Sequence, residues 1–170
     1  TRGSSDLQLL QIDPNFRIHD ISHQVAPFNY PQAAYICRNA ILQFPPNTYH
    51  IILVNLFEQK PEHLLLSCFN GQYIFCADNG LINMILPPKP EMVIGIPLDQ
   101  HAIKNTLYCT RVIGQAIHDL ENGRVPETLG DPHLAYIEKN ELRPVLADSY
   151  MEGQIIFIDN FENVIVNITR

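Results

Sequence analysis

Apolar residues recur at three- and four-residue spacing in two long stretches of the chain, and run unbroken or alternate in several shorter ones. The two periods separate helices from strands. Residues 50–55 (HIILVN) hold four consecutive apolar side chains, Ile51 to Val54, between polar ends. A run that short and uniform predicts a strand buried on both faces, as in a parallel sheet. Before it, Asn29 can cap a helix running to about Phe44, with Gln32 in capping-box position. Ala33, Ala34, Cys37, Ala40, Ile41 and Phe44 then share one face. Residues 17–22 (RIHDIS) alternate loosely and predict a strand. Residues 17–55 thus form a strand–helix–strand unit, whose crossover makes a parallel pair. Residues 7–12 (LQLLQI) are apolar and end at Asp13-Pro14, which stops a helix; residues 1–7 carry little pattern.

The sharpest local signal is Asn70-Gly71 between apolar runs 64–69 and 72–77. An Asn-Gly pair between strands predicts a type I′ hairpin, because both turn residues need positive φ. Asp78-Asn79-Gly80 is a second tight turn, followed by a short helix over 81–86 that ends at Pro87-Pro88. Residues 91–96 predict a strand. Residues 111–122 predict a helix with Val112, Ile113, Ala116, Ile117 and Leu120 on one face and Gly123 as its stop. Residues 127–143 are polar and irregular. Residues 153–159 and 164–168 read as two strands around a turn containing Asn160 and Asn163. The fold class is therefore α/β. Residues 1–150 form a Rossmann-like, parallel-sheet domain, and residues 151–170 begin a small all-β domain.

In open α/β sheets, sites form outside the carboxyl ends of the strands. That directs attention to Asn55 and the LFEQKPEH loop after it, and then to Asp78, Tyr108 and Asp159. Each has a plainer explanation. Asn55 can simply turn the chain, and Asp78 in Asp-Asn-Gly reads as a turn residue before it reads as an acid. His19 and His23 are four apart, which on a helix would offer two metal ligands, but their surroundings read as strand and loop, so no metal is expected. No G-x-S-x-G, P-loop or G-x-G-x-x-G pattern occurs.

Composition narrows the classes further. A net charge of −7 and a pI near 5.4 argue against a nucleic-acid surface, which needs clustered Lys and Arg. No apolar run approaches the roughly 20 residues of a membrane span. No signal peptide is visible. Cys37, Cys68, Cys76 and Cys109 form no C-x-x-C pair, which predicts reduced thiols in a cytoplasmic protein.

Four stretches carry a resemblance: IDPNFRIHDISHQVAPF, NTYHIILVN, FNGQYIFCADNGLINMIL and GQIIFIDNFENVIVNI. Their order and spacing resemble the S-adenosylmethionine hydroxide adenosyltransferase family, relatives of the fluorinase and chlorinase enzymes. The likeness covers most of residues 8–170 and is strongest in DISH with Pro27, in ADNG, and in the IDNF-E-N-x-I-x-N ending. It implies an α/β amino-terminal domain and a smaller, barrel-like β domain after it. It also implies a homotrimer with active sites between one subunit's first domain and a neighbour's second. The reaction it implies is displacement of methionine from C5′ of S-adenosylmethionine by water or halide. That substrate is a small molecule, and no cofactor, nucleic acid or membrane is involved. Attack at C5′ needs an in-line nucleophile and a dry pocket, and a cleft between subunits can supply both.

Matched position by position, Phe28 falls beside the nucleoside. Asp159, Phe161 and Asn163 match a run that contacts the amino acid and adenine parts of the substrate. Glu162 stands where relatives have Gly, a difference that matters if the backbone there needs positive φ. Phe28 has a plainer role open to it, as a hydrophobic staple before the helix. The water-activating set of hydrolytic relatives is an Asp at the end of the central strand, an Arg in the loop after it, and a His in a Thr-Phe-His-Gly-Arg-Asp run. Here these positions hold Asn55, Glu62 and Tyr108. Halogenating relatives also carry Tyr at the last of them. A neutral amide cannot accept a proton from water as a carboxylate can. The resemblance further implies that a strand before Thr1 and a segment beyond Asn167 are missing from this chain. The function expected is a S-adenosylmethionine hydrolase giving adenosine and methionine, with Asn55 and Tyr108 positioning the nucleophile. The alternative is a homologue that binds S-adenosylmethionine or a nucleoside and has lost the reaction.

Overall fold

The computed structural model describes residues 2–86, 90, 92–140, 143–159 and 161–168. Helix α1 (Arg2–Ile12) leads to a long coil and then to α2 (Tyr30–Gln43). Strand β1 (Tyr49–Ile52) is followed by the hairpin of β2 (His63–Phe69) and β3 (Gln72–Ala77). The short helix α3 (Leu81–Ile85), strand β4 (Val93–Pro97) and helix α4 (Thr106–Glu121) complete the main body. A 3-10 turn (Pro126–Thr128) and four short strands follow: β5 (Val145–Leu146), β6 (Met151–Glu152), β7 (Ile155–Ile158) and β8 (Val164–Val166).

The main sheet has the order β1-β3-β2-β4. β1 runs parallel to β3, and β2 lies antiparallel between β3 and β4. Strands β1, β3 and β4 therefore point the same way. Side chains alternate across this sheet as the pleat requires. Leu65, Ile74 and Cys76 pack under Ala33, Ala34 and Ile41 of α2 and the buried face of α3. Leu64, Leu66, Phe75 and Ile94 pack on the other face against Cys109, Ile113 and Ile117 of α4. Helix α1 lies outside α4, at a crossing where a Cβ on Gly114 would sit 2.5 Å from the Ile12 side chain. A larger residue there would force the Ile12 and Leu9 side chains to shift.

The local signals of turns and caps hold. Asn70 and Gly71 both have positive φ between the paired strands. Asn29 caps α2 by accepting from the Gln32 amide, although Gln32 turns its own side chain to the Ala26 amide instead of closing a capping box. Gly80, at φ 86°, opens α3, and Gly123, also at 86°, follows α4.

Four expectations need correction. Residues 17–22 form no strand, so the strand–helix–strand unit over 17–55 is not made. The apolar run at 50–55 does make a strand, but one shifted to Tyr49–Ile52, half-buried, and at the edge of the sheet. The sheet is mixed, not parallel: only β1 and β3 pair in parallel. Helix α4 starts at Thr106, five residues before the predicted 111, because Asn105 accepts from the Tyr108 amide and caps it there. Residues 127–143 are irregular as expected, yet they cover the sheet. Asp131 exchanges two backbone hydrogen bonds with Gly95, and Leu134 fills the space a Cβ on Gly95 would take. Pro87-Pro88, the Glu91 start of the strand predicted over 91–96, and Asn160 lie outside the described residues. The two predicted late strands form as the β7–β8 hairpin, which rests on α2 through an edge-to-face contact of Phe157 with Tyr35. Among the described residues, β5–β8 make two two-stranded sheets and no closed barrel.

Candidate functional site

Because β1, β3 and β4 point one way, their carboxyl ends and the start of β2 share one end of the sheet. Along it, in spatial order, come Asn55 after β1, Asp78 and Asn79 after β3, His63 opening β2, and Asp99 after β4.

Asn55 has φ 48°, and its side-chain oxygen accepts from the amide of Phe28, itself at φ 60°. Two non-glycine residues in the left-handed region, bonded to each other, mark a place where the fold tolerates strain. Asn79 holds the loop beneath them. Its side-chain nitrogen donates to the carbonyl of Val54 at 2.9 Å and of Asn55 at 3.4 Å, and its oxygen accepts from the Leu81 amide. The side-chain nitrogen of Asn55 is buried and has no hydrogen-bond partner among the described residues. An orphaned buried donor normally calls for a partner that completes the site. Phe28 is 66% exposed, so it does not act as a staple against α2.

Further along, His63 Nε2 lies 2.7 Å from Asp78 Oδ2, while Asp78 Oδ1 accepts from the Ile137 amide at 2.7 Å. Asp78 thus does more than turn the chain. Beyond Gly80, the stem of Lys139 occupies the space a Cβ would fill. The Lys139 ammonium lies 3.8 Å from the centre of the Tyr30 ring and 3.5 Å from a Glu58 oxygen. The Tyr30 hydroxyl donates to the same carboxylate. At the far end, the hydroxyl of Tyr108 accepts from the Asp99 amide at 2.8 Å, and the Arg111 guanidinium sits 5.5 Å from the ring centre.

Two hollows border this region. One of about 540 Å³ lies at the sheet end between the loop after β1 (Phe57, Glu58, Lys60) and the loop after β4 (Gln100, Lys104). A larger one of about 1120 Å³ runs along the unpaired edge of β1, against residues 17–23, and is lined by none of Phe28, Asn55, Tyr108, Asp159, Phe161 and Asn163. The larger hollow flanks an edge strand and carries polar side chains of its own, among them Asp20, His23 and His50; the smaller, also lined by none of those six residues, opens at the sheet end beside Glu58.

Asp159, Phe161 and Asn163 stand together in the β7–β8 turn. The Asp159 carboxylate accepts from the Phe161 and Asn163 amides and from the Asn163 side chain. The Asn163 side-chain bond, then its backbone bond, with the Phe161 amide, holds that carboxyl below its ordinary range. Phe161 is 86% exposed. Glu162 has φ 64°, the geometry that favours glycine. The fold thus brings Phe28 and Asn55 into contact and sets Tyr108 at the other side of the same sheet end. The bonds of Asp159 and Asn163 stay within their own hairpin. Glu62 offers its backbone carbonyl to Leu98.

Residues 2–130 match the family model described as the SAM hydroxide adenosyltransferase N-terminal domain. The chain belongs to this family. It is 25% identical over 163 residues to a protein from Methanocaldococcus jannaschii named (R)-S-adenosyl-L-methionine hydrolase, covering 95% of this chain and 58% of that protein. A crystal structure of an uncharacterized conserved protein from Thermotoga maritima is similar with a TM-score of 0.83 at 25% identity, over 98% of this chain and 66% of the other. A conserved hypothetical protein from Thermus thermophilus shares the fold, with a TM-score of 0.66 at 19% identity, over 99% of this chain and 67% of its own. The chain thus spans somewhat over half the length of the curated relative it matches.

Tyr30 and Lys139 were not singled out in the sequence; Glu58 and His63 lay within the LFEQKPEH loop and Asn79 within the 78–80 turn, without roles of their own. For His63 a signal existed. Pairing outward from the two-residue Asn70-Gly71 turn sets Phe69 against Gln72 and Leu64 against Ala77, and the next step sets His63 against Asp78.

Proposed function

We propose that the protein is an enzyme that hydrolyses S-adenosylmethionine to adenosine and methionine, as a cytoplasmic homotrimer without a cofactor. The observation that carries this is the cluster at the carboxyl end of β1 and β3, in a chain of this family, with the orphaned Asn55 amide at its centre.

The roles follow from donor and acceptor chemistry. The oxygen of Asn55 is taken by the Phe28 amide, so its nitrogen is the group left to act. It can hold the lone pair of a water oxygen but cannot take its proton. Tyr108 accepts from Asp99, which leaves its own proton to donate. Both residues orient the nucleophile. The open face of Phe28 suits the nucleoside. Asp159, Phe161 and Asn163 bind the remainder of the substrate across a subunit interface, where the exposed Phe161 ring gains a partner. The β segment from about Met151 belongs to a second domain that serves this interface. In the reaction, the oxygen of water bonds to C5′ as the C5′–S bond breaks. The bonding pair moves to sulfur, and one proton is released.

The test is incubation of the full-length protein with S-adenosylmethionine, with adenosine and methionine followed by chromatography. Equal amounts of both above the uncatalysed background are expected. Binding without products would replace this proposal with the alternative, a binding homologue.

A further inference from the structure

We infer that His63, oriented by Asp78, is the group that takes the proton from the attacking water; this rests on the hydrolysis proposed above. Hydrolysis at C5′ must pass a proton to an acceptor, and neither Asn55 nor Tyr108, as placed, offers one. His63 lies between them along the sheet end. On one side Asn79, next to Asp78, holds the Asn55 carbonyl. On the other, His63 pairs with Pro97, two residues before the Asp99 amide that Tyr108 accepts.

The dyad has the geometry of an oriented base. The carboxylate 2.7 Å from Nε2 places the proton on that nitrogen. The Nδ1 lone pair is then the acceptor, and no hydrogen bond engages it among the described residues. Asp78 is itself fixed, because its second oxygen accepts from the Ile137 amide. With side chains 21% and 14% exposed, the pair is sheltered yet reachable. Other charges at this end of the sheet are Glu62 beside His63, Asp99 after β4, Lys60 and Lys104 around the smaller hollow, Arg111 over the Tyr108 ring, and the Lys139–Glu58 pair beyond Gly80. In the step, the water oxygen bonds to C5′, the C5′–S pair goes to sulfur, and the water proton passes to Nδ1. His63 then returns it to solvent. A plainer role exists: the pair could only clip the start of β2 to the 137 segment.

The full-length protein with His63→Gln, His63→Ala and Asp78→Asn separates the two. Adenosine formation is followed from pH 5 to 9, with S-adenosylmethionine binding measured by calorimetry. Removing a general base costs about 100-fold or more. For His63→Gln we expect that loss in kcat, with KM within twofold and the acid limb of the pH profile gone. Asp78→Asn should lose about tenfold, the lower end for a supporting partner. Imidazole should restore part of the His63→Ala rate, which a folding defect would not allow. A His63→Gln rate within twofold of the unsubstituted protein, or no imidazole rescue, overturns the role of His63 and leaves hydrolysis standing. No adenosine from the unsubstituted protein overturns both.

Discussion

The carboxyl end of the main sheet and the β7–β8 turn both carry residues of the proposed site, and they are built in opposite ways. At the sheet end four polar side chains reach across the chain, Asn55 to Phe28, Asn79 to Val54, His63 to Asp78 and Asp78 to Ile137, while Asp99 bonds locally to the His101 amide. The hydrogen bonds of Asp159 and Asn163 stay within five residues, and Phe161 and Ile158 face solvent. Long-range bonds set a geometry that the whole core defends. Local bonds shape a loop that leaves Phe161 and Ile158 open. The first region is therefore preorganised and the second is not, a difference that suits the intersubunit site proposed above.

Core substitutions should separate the two regions most strongly. Phe75 is fully buried in the sheet, so Phe75→Ala should cost about 3–5 kcal/mol in urea unfolding. Phe161→Ala should change stability by less than about 0.5 kcal/mol while weakening substrate binding in the assembled protein. Equal costs would erase the contrast. A smaller effect is expected at Asn79, whose loss leaves two part-buried carbonyls and the buried Leu81 amide without its bonds. Asn79→Ala should destabilise by about 1–3 kcal/mol, with adenosine formation falling further than the melting temperature accounts for.

In the hairpin, Glu162→Gly removes a left-handed strain of about 1 kcal/mol, partly offset by greater freedom of the unfolded chain. A small gain in thermal stability is expected, and a clear loss would mean that the Glu162 side chain makes a contact of its own. The pH response should also differ between regions. Burial holds His50 below its ordinary value of 6.5, with a smaller opposing effect from its bond to Gln72. The folded state therefore resists protonating it. The stability it contributes is present above the unfolded value and is lost as pH falls through the lowered folded value. His50→Gln should flatten the decline in urea midpoint below about pH 6.5. The smallest effect concerns thiols. Burial pushes Cys37 and Cys68 up to about 11, so both should alkylate at pH 8 far more slowly than free cysteine.

Much of this was legible in the chain because it is local. The Asn70-Gly71 turn needs positive φ at both residues, and it pairs the strands unaided. The Asn29 cap and Gly80 act within one helical turn. The place of β1 was not legible. An unbroken apolar run fits a central strand, but whether a second neighbour pairs with it is a tertiary fact, and here it is an edge. Residues 17–22 alternate but have no strand beside them to join. Asn55 was legible as a strand-end residue. That its oxygen is occupied and its nitrogen is not could come only from the fold. His63 lay in the loop the sequence pointed to, but its role was hidden because it opens a strand instead of closing one.

The central claim is that substrate is handled at the carboxyl end of the sheet and not in the larger hollow along β1. Hydrogen exchange of the full-length protein with and without S-adenosylmethionine tests it most directly. Protection should appear in peptides covering residues 53–60, 78–84 and 97–104. Protection centred on residues 17–25 and 48–52, or none at all, would contradict it.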